Sequence, residues 1–383
     1  MRTVQIEACE RVIDWVAETT DRYVAECTRD VGRFLGRAAA LGPQAAVTPF
    51  QSENWLSPWL KGLAPAADVE PLLITVRDSV RGEIAMLLPL VLRRFYGLTL
   101  VEFADLSVSD YNIPLLGPAA PTTPEKAAEA FDAALAVMPP VDVIRLCNLP
   151  LAVNGRINPL ALLPGLSQGS VRNVTALPTN WDDYLALRSR KFRKALRQHH
   201  RALDALGGAT ARMITSGAEA GRLLDRLDSL QRARIAARGK RYVLDRPAYS
   251  NFYRNVFEHG RADRFAMLSV LESGDTVVAI AYSLLHQRTC TTVRLAHLGE
   301  QWSRCSPGIV LASEMIRWMI ENGVQTFDLG AGGYDYKKRL GCEAQPLLAL
   351  EKAMSIKGRM ALSAWTTFAG RRSLIQSLAA KAS

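Results

Sequence analysis

Two stretches of this chain carry the same order of local signals, and that repetition limits the folds open to it more than any other feature. In the first, the apolar runs Leu72 to Val76 and Ile84 to Leu92 are joined by a turn at Asp78 to Gly82, which reads as a hairpin. A further apolar run, Leu98 to Phe103, precedes Thr123-Pro124-Glu125, a helix start with proline at its first position. The helix runs to about Met138 and gives way to a strand, Val143 to Leu146. In the second stretch, Phe265 to Leu271, Val277 to Leu285 and Thr289 to Leu298 read as strands. Ser306-Pro307-Gly308 then opens a helix, Ile309 to Glu321, which closes at Asn322-Gly323 before the strand Thr326 to Leu329. Hairpin, strand, capped helix and strand thus occur twice. At 383 residues the chain exceeds the usual ceiling for one hydrophobic core, so internal duplication is the economical reading.

The rest of the chain frames these repeats. Val4 to Leu35 has apolar residues at helical spacing and is expected to form one or two helices. Prolines 43, 49, 58 and 65 punctuate a segment holding Trp55 and Trp59, which points to an irregular but packed connection. Trp181 is expected to begin a long helix that ends at Gly207-Gly208, with Phe192, Leu196, Leu203 and Leu206 on one side. A last amphipathic helix is expected from Gly358 to Ala380.

Composition and motifs exclude several classes. About half the residues are apolar and 22% are charged, the balance of a chain that can bury cores. No apolar run approaches the ~20 residues of a membrane-spanning helix, and the N-terminus lacks the pattern of a secretory leader, so a cytoplasmic protein is expected. The six cysteines form no Cys-x-x-Cys pair and no Cys/His cluster at zinc spacing, so no metal is expected. The net charge of +10 is concentrated. Seven cations and no acid lie between Arg188 and Arg201, and a second cluster holds Arg232, Arg234, Arg238, Lys240 and Arg241. The first is either a solvated helix face or an electrostatic rim for an anionic partner. With Phe192 its only aromatic residue, it gives poor support to a nucleic-acid stacking platform.

The run Ser306-Pro307-Gly308-Ile309-Val310-Leu311, then Phe327-Asp328-Leu329-Gly330, then Tyr334-Asp335-Tyr336-Lys337-Lys338-Arg339-Leu340-Gly341 resembles the FemAB-like branch of the GNAT acyltransferase superfamily. The likeness is greatest to CelD-type proteins associated with cellulose and exopolysaccharide synthesis. It extends over residues 177–343, with Arg190-Lys191-Phe192-Arg193-Lys194 included; the first half is similar only in layout. This resemblance implies an α/β chain of tandem GNAT-like halves, each a mixed sheet flanked by helices, here expected at 1–165 and 166–383. It also implies an acyl donor in a cleft where two strands splay, with its pyrophosphate at a helix N-terminus. Ser306, Pro307, Gly308 and Ile309 would form that terminus. The sequence departs from the pattern in lacking the Gln/Arg-x-x-Gly-x-Gly/Ala phosphate loop of acetyl-CoA-binding members. Acyl-CoA, acetyl or longer, is the donor the resemblance implies; because of that departure aminoacyl-tRNA, used by FemAB relatives, remains the alternative.

The chemistry implied is transfer of an acyl group to an amine or hydroxyl, with a saccharide or cell-envelope precursor as one candidate acceptor. Asp328 is a candidate base or acceptor-orienting group, or else a cap of the glycine-rich turn after it. Tyr336 and Tyr334 compete for the acid that protonates the leaving thiolate, and either could be a packing aromatic. Lys337 and Lys338 are candidate phosphate clamps, or cations at a short helix end. His297 is a candidate base or a packed strand histidine. Arg190, Lys191, Arg234 and Gly332 are candidate acceptor contacts. A non-catalytic scaffold docked on an anionic surface, with peripheral contact to the inner membrane, is the reading from a different class. The sequence fixes no oligomeric state.

Overall fold

The computed structural model describes residues 22–365 and Trp15–Val16, except 43–44, 216, 238, 240–241 and 243. In chain order the first half comprises β1 (Tyr23–Thr28), α1 (Val31–Leu41), α2 (Glu53–Pro58), β2 (Glu70–Asp78), β3 (Ile84–Phe95), β4 (Leu98–Phe103), α3 (Pro124–Ala136) and β5 (Val143–Pro150). Strand β6 (Ser167–Ala176), helices α4 (Trp181–Ala186) and α5 (Arg190–Asp204) and strand β7 (Thr210–Ile214) come next. The chain continues through α6 (Ala220–Ala236), α7 (Pro247–His259), β8 (Ala266–Ser273), β9 (Thr276–His286) and β10 (Thr289–His297). It then forms α8 (Pro307–Glu321), β11 (Thr326–Ala331), α9 (Asp335–Arg339) and β12 (Glu343–Ala353).

The expected repeat is present, within one fourteen-stranded sheet. Strands β1 to β4 form an antiparallel meander, α3 crosses over, and β5 returns parallel to β4. Strands β7 to β10 form the same meander, α8 crosses over, and β11 returns parallel to β10. Each set is completed by a strand from elsewhere in the chain. The C-terminal β12 lies antiparallel beside β5, while β6, made before the second meander, lies antiparallel beside β11. The pair β6–β12 joins the two sets into one sheet. Two short strands complete it, Trp15–Val16 on β1 and Leu115–Leu116 on β3.

Local chemistry explains the crossover helices. Thr123 accepts from Lys126 N–H and Pro124 fills the first position of α3, so two of the orphan donors of that end are removed or satisfied. Helix α3 packs its buried face on one side of the first sheet half, and α8 buries nine residues on the same side of the second. On the opposite side one core spans both halves. Trp55, wholly buried, meets Phe50 edge-on at 5.1 Å and Phe252 of α7 edge-on at 4.8 Å between ring centroids.

Two expectations are corrected, and a third is covered only in part by the described residues. Tyr23–Thr28 is a strand and not part of a helix: Tyr23, Ala25 and Cys27 are buried with period two, and Asp30 caps α1 only after it by accepting from Arg33 N–H. The long helix from Trp181 is broken in two, because Ser189 turns out of the helix and caps α5 by accepting from Phe192 N–H at 3.1 Å. Residues 356–365 are helical, and the rest of the expected tail helix lies outside the described residues, as do residues 1–14 and 17–21. Among the described residues, no helix is long and apolar enough to cross a membrane.

Trp55→Ala should cost roughly 3–5 kcal/mol, the usual loss for a large buried aromatic. Because its cavity opens against both halves, thermal unfolding should remain one transition at a lower Tm. Two separated transitions in calorimetry would show that the shared core does not couple the halves.

Candidate functional site

Strands β10 and β11 pair for only three residues, Thr289 to Thr291 against Thr326 to Asp328, and then separate. A cleft of ≈590 Å³ occupies the separation. Its walls come from β10 (Thr292 to Leu295 and His297), the start of α8, the end of β11, the 334–339 segment and α6.

The helix start is unusual. Ser306 adopts a left-handed conformation, φ 44°, and its side chain makes no cap. Pro307 has no N–H, and Ile309 and Val310 both donate to Ser306 O, so Gly308 N–H is the uncommitted donor of this turn. A Cβ at Gly308 would stand 3.2 Å from His297 Cδ2 and 3.3 Å from Leu295 Cδ2, so the glycine lets the helix end approach the strand. His297 Nδ1 is 2.9 Å from Leu298 O, a bond in which the ring nitrogen donates. That tautomer leaves Nε2 as an acceptor.

Part of the floor of the cleft is built by the first half. The segment between β4 and Leu115 is pinned by Trp59 Nε1 donating to Asp105 O, Trp55 Nε1 to Ser109 Oγ, Gln51 Nε2 to Tyr111 O and Asn112 Nδ2 to Asp105 Oδ2. Asn112 also donates to Cys147 O and Asn148 O, closing this segment against β5. The segment thereby presents Asp110 and Tyr111 to the second half. Tyr111 donates to Asp328 Oδ1 at 2.5 Å, and Gly330 N–H donates to the same oxygen at 2.8 Å. Asp110 lines the cleft itself. Gly330, at φ 71°, is required there, since a Cβ would fall 2.4 Å from Asp110 Oδ2.

These groups form a buried charge cluster. Burial, then the nearby Asp328 charge, raise the Asp110 carboxyl to about 7; Lys337 and the Ala331 N–H oppose the rise. Burial also raises Asp328, against its hydrogen bonds from Tyr111 and Gly330. Lys337 is 2% exposed and donates to Gly330 O at 3.2 Å and Ala331 O at 2.8 Å. Burial lowers its affinity for a proton, while Asp110 and Asp328 oppose that shift. Asn173 Nδ2 also donates to Gly330 O, so the turn is held from two sides. Burial raises the Tyr336 phenol to about 12, with Arg234 opposing.

The structure gathers most of the residues singled out from sequence. Ser306, Pro307, Gly308, Ile309, His297, Arg234, Tyr334, Tyr336 and Lys337 all line the cleft. Asp328 lies closed beneath it, and Gly332 packs under the Tyr334 ring, where a Cβ would be 3.0 Å from Cε2. Lys338 is exposed outside the lining, as are Arg190 and Lys191 on α5. Sequence reasoning missed Asp110, Tyr111 and Arg294. Arg294 is 4% exposed over the Tyr253 ring and is held by Asp228, Gln231 and Tyr242. Its signal was an arginine between Val293 and Leu295 in an apolar strand; Asp110 had none beyond following the fourth strand of a repeat. Among the described residues no three His, Cys, Asp or Glu side chains gather to hold a metal ion.

Residues 190–338 match the family described as acetyltransferase (GNAT) domain. Among solved structures, the chain is similar to FemX at 13% identity, with 82% of this chain and 95% of that chain covered and a TM-score of 0.54. It is also similar to L-PGS from Bacillus licheniformis at 14% identity, 82% and 96% coverage and TM-score 0.48. A tandem GNAT protein from the clavulanic acid biosynthesis pathway aligns at 11% identity, 87% and 98% coverage and TM-score 0.47. No curated protein matches the sequence.

The raised Asp110 carboxyl has a stability consequence of definite sign. The folded chain keeps this proton up to about 7, whereas the unfolded chain releases it near the ordinary carboxyl value of 3.8. The stabilisation is therefore present below the unfolded value and lost as pH rises through the folded one. Asp110→Asn cannot ionise, so its Tm relative to wild type should climb between about pH 4 and pH 7 and level off above. A pH-independent difference in melting would reject the shift.

Proposed function

We propose, for a chain that belongs to the GNAT superfamily of acyltransferases, that this cleft moves an acyl group from a thioester donor to an amine or hydroxyl, with Asp110 as the base. The observation that supports it is the meeting of a strand separation, a helix N-terminus and a carboxyl poised near 7 in one cleft. The donor is acyl-CoA. Its phosphates would lie at Gly308 N–H and the start of α8, with Arg234 and Arg339 of the cleft lining as countercharges. The acyl carbonyl would sit where β10 and β11 part.

In this reading the acceptor gives its proton to Asp110 as its nitrogen or oxygen bonds to the carbonyl carbon. The carbon–sulfur bond then breaks, and the sulfur takes the proton of Tyr336, whose raised pKa keeps it protonated at neutral pH. Asp328 is a positioning residue that holds Tyr111 and the Gly330 turn, and Lys337 supports that turn and offsets the negative charge beside it. His297 contributes an acceptor nitrogen at the rim, and Tyr334 a ring over Lys337. Holding both reactants in one cleft supplies effective molarities of ~10⁵ to 10⁸ M, so positioning outweighs any single proton transfer.

The acceptor is proposed to be a cell-envelope or exopolysaccharide precursor, met in the cytoplasm at the inner membrane, on the strength of the CelD-type likeness of 306–341. A second donor, aminoacyl-tRNA, is favoured by one observation: the phosphate loop of acetyl-CoA-binding members is absent. Calorimetric titration with acetyl-CoA, longer acyl-CoAs and charged tRNA separates the donors. Binding of none would favour a scaffold.

Once a donor is known, Asp110→Asn should lower kcat by on the order of 10² to 10⁴ and remove the rise of rate with pH through about 7, leaving donor affinity nearly unchanged. Wild-type pH dependence in that variant would reject the base. Tyr336→Phe should lower kcat by on the order of 10² with the ring packing kept. An unchanged rate there would move the acid to Tyr334.

A further inference from the structure

At the end of the sheet where β3 turns into β4, two aromatic rings stand in solvent: Phe95 is 43% and Tyr96 91% exposed. Met354, Ile356 and Met360, just after β12, are 43%, 75% and 70% exposed. These are five of the eleven large hydrophobic side chains exposed among the described residues, and all five lie at or just after strand ends at the same end of the sheet. Strands β3, β4, β5 and β12 are consecutive neighbours, and Asp142 ties their ends together. Its N–H donates to Thr99 O and its Oδ2 accepts from Thr99 N–H, both at 2.9 Å. Its Oδ1 accepts from Ser355 Oγ at 2.5 Å, and its carbonyl accepts from Met354 N–H at 2.8 Å.

The helical segment 356–365 is seated by a defined face. A Cβ at Gly358 would lie 1.9 Å from Asp142 O, and Arg145 lies over the Trp365 ring. Ile356 and Met360, one turn apart, project from the other face. Cations lie at the same end: Arg94, with a side chain 84% exposed and 3.6 Å from Glu70, and the exposed Lys352, Lys357 and Arg359. The nearby acid Glu351 is held by Arg145. From Lys357 to Ser383 the sequence has five cations and no acid. Beside the patch lies an apolar depression of ≈410 Å³ lined by Leu135, Met138 and Pro140.

Single exposed apolar residues need no explanation, but a set at one end of the sheet with cations in excess does. Interfacial aromatic and aliphatic side chains flanked by an excess of lysine and arginine over acids are complementary to an anionic bilayer surface. We propose that this end of the first half docks on an anionic lipid surface, with Tyr96, Ile356 and Met360 entering the interface and Arg94, Lys352, Lys357 and Arg359 meeting the headgroups. This deepens the inner-membrane location proposed above, and it is independent of the chemistry in the cleft.

Sedimentation of the full chain with vesicles of phosphatidylcholine alone, and of phosphatidylcholine with phosphatidylglycerol, tests it without any assay of transfer. The chain should bind the phosphatidylglycerol vesicles, release with salt, and ignore the neutral ones. The double variant Ile356→Asp with Met360→Asp, at exposed positions, should melt like wild type and bind roughly tenfold more weakly. No binding, or binding that the double variant leaves unchanged, would overturn the proposal. So would a self-associating wild type that the same substitutions render monomeric in lipid-free buffer, because a second copy would then cover the patch.

Discussion

The hydrogen bond from Tyr111 to Asp328 joins residues 217 positions apart, and the cleft has its shape because of it. Asp328 closes the last pair between β10 and β11, so whatever fixes its carboxylate also fixes where the strands part. Tyr111 does so from the other half, on a segment with no regular structure of its own. That segment keeps its course because Trp59 and Gln51 donate to its backbone carbonyls, Trp55 donates to the Ser109 hydroxyl, and its own Asn112 donates to Cys147 O of β5. The second half thus supplies the cleft walls and the first half supplies part of its floor, and neither is a site alone.

The same contact places like charges together. Asp110 and Asp328 are both buried, with Lys337 as a countercharge to both and Arg172 as a further one to Asp328. Burial outweighs these cations at both carboxyls, so one proton is held loosely near neutrality. Arg294 adds no free charge to this cluster, since Asp228 already pairs with it. Acid–base capacity and rigidity therefore arise from one arrangement: the groups that orient the turn at Gly330 are also those that set the proton affinity of Asp110.

Much of this was legible in the sequence where local rules apply. The repeated order of strands and capped helix appeared because hydrophobic period and helix-start residues are local properties. Ser306 to Ile309 were legible locally as a helix start, and together with Tyr334, Tyr336 and Lys337 as a site only through the likeness to the FemAB-like branch; they line one cleft. Tyr23–Thr28 misled because short apolar spacing fits either period, and only pairing with β2 decides it. Asp110 and Tyr111 were illegible for a deeper reason. Nothing near Ser109-Asp110-Tyr111-Asn112 marks it as chemistry, and its place beside Asp328 follows from how two distant sheet halves abut.

The exchange of β6 and β12 also orders events in time. As the chain leaves a ribosome, β1 to β5 can assemble early, but the open edge of β5 has no neighbour until β12, nearly the last strand, has been made. Strand β6 meanwhile emerges ahead of the whole meander that it will flank. Both edges must stay unpaired through the synthesis of the second half, which makes the nascent chain vulnerable to mispairing with another copy. Such long-separation pairing also slows folding, because the closure entropy is lost before the contacts form. Completion of the first half and of the second is thus a single late step, set by the arrival of one C-terminal strand.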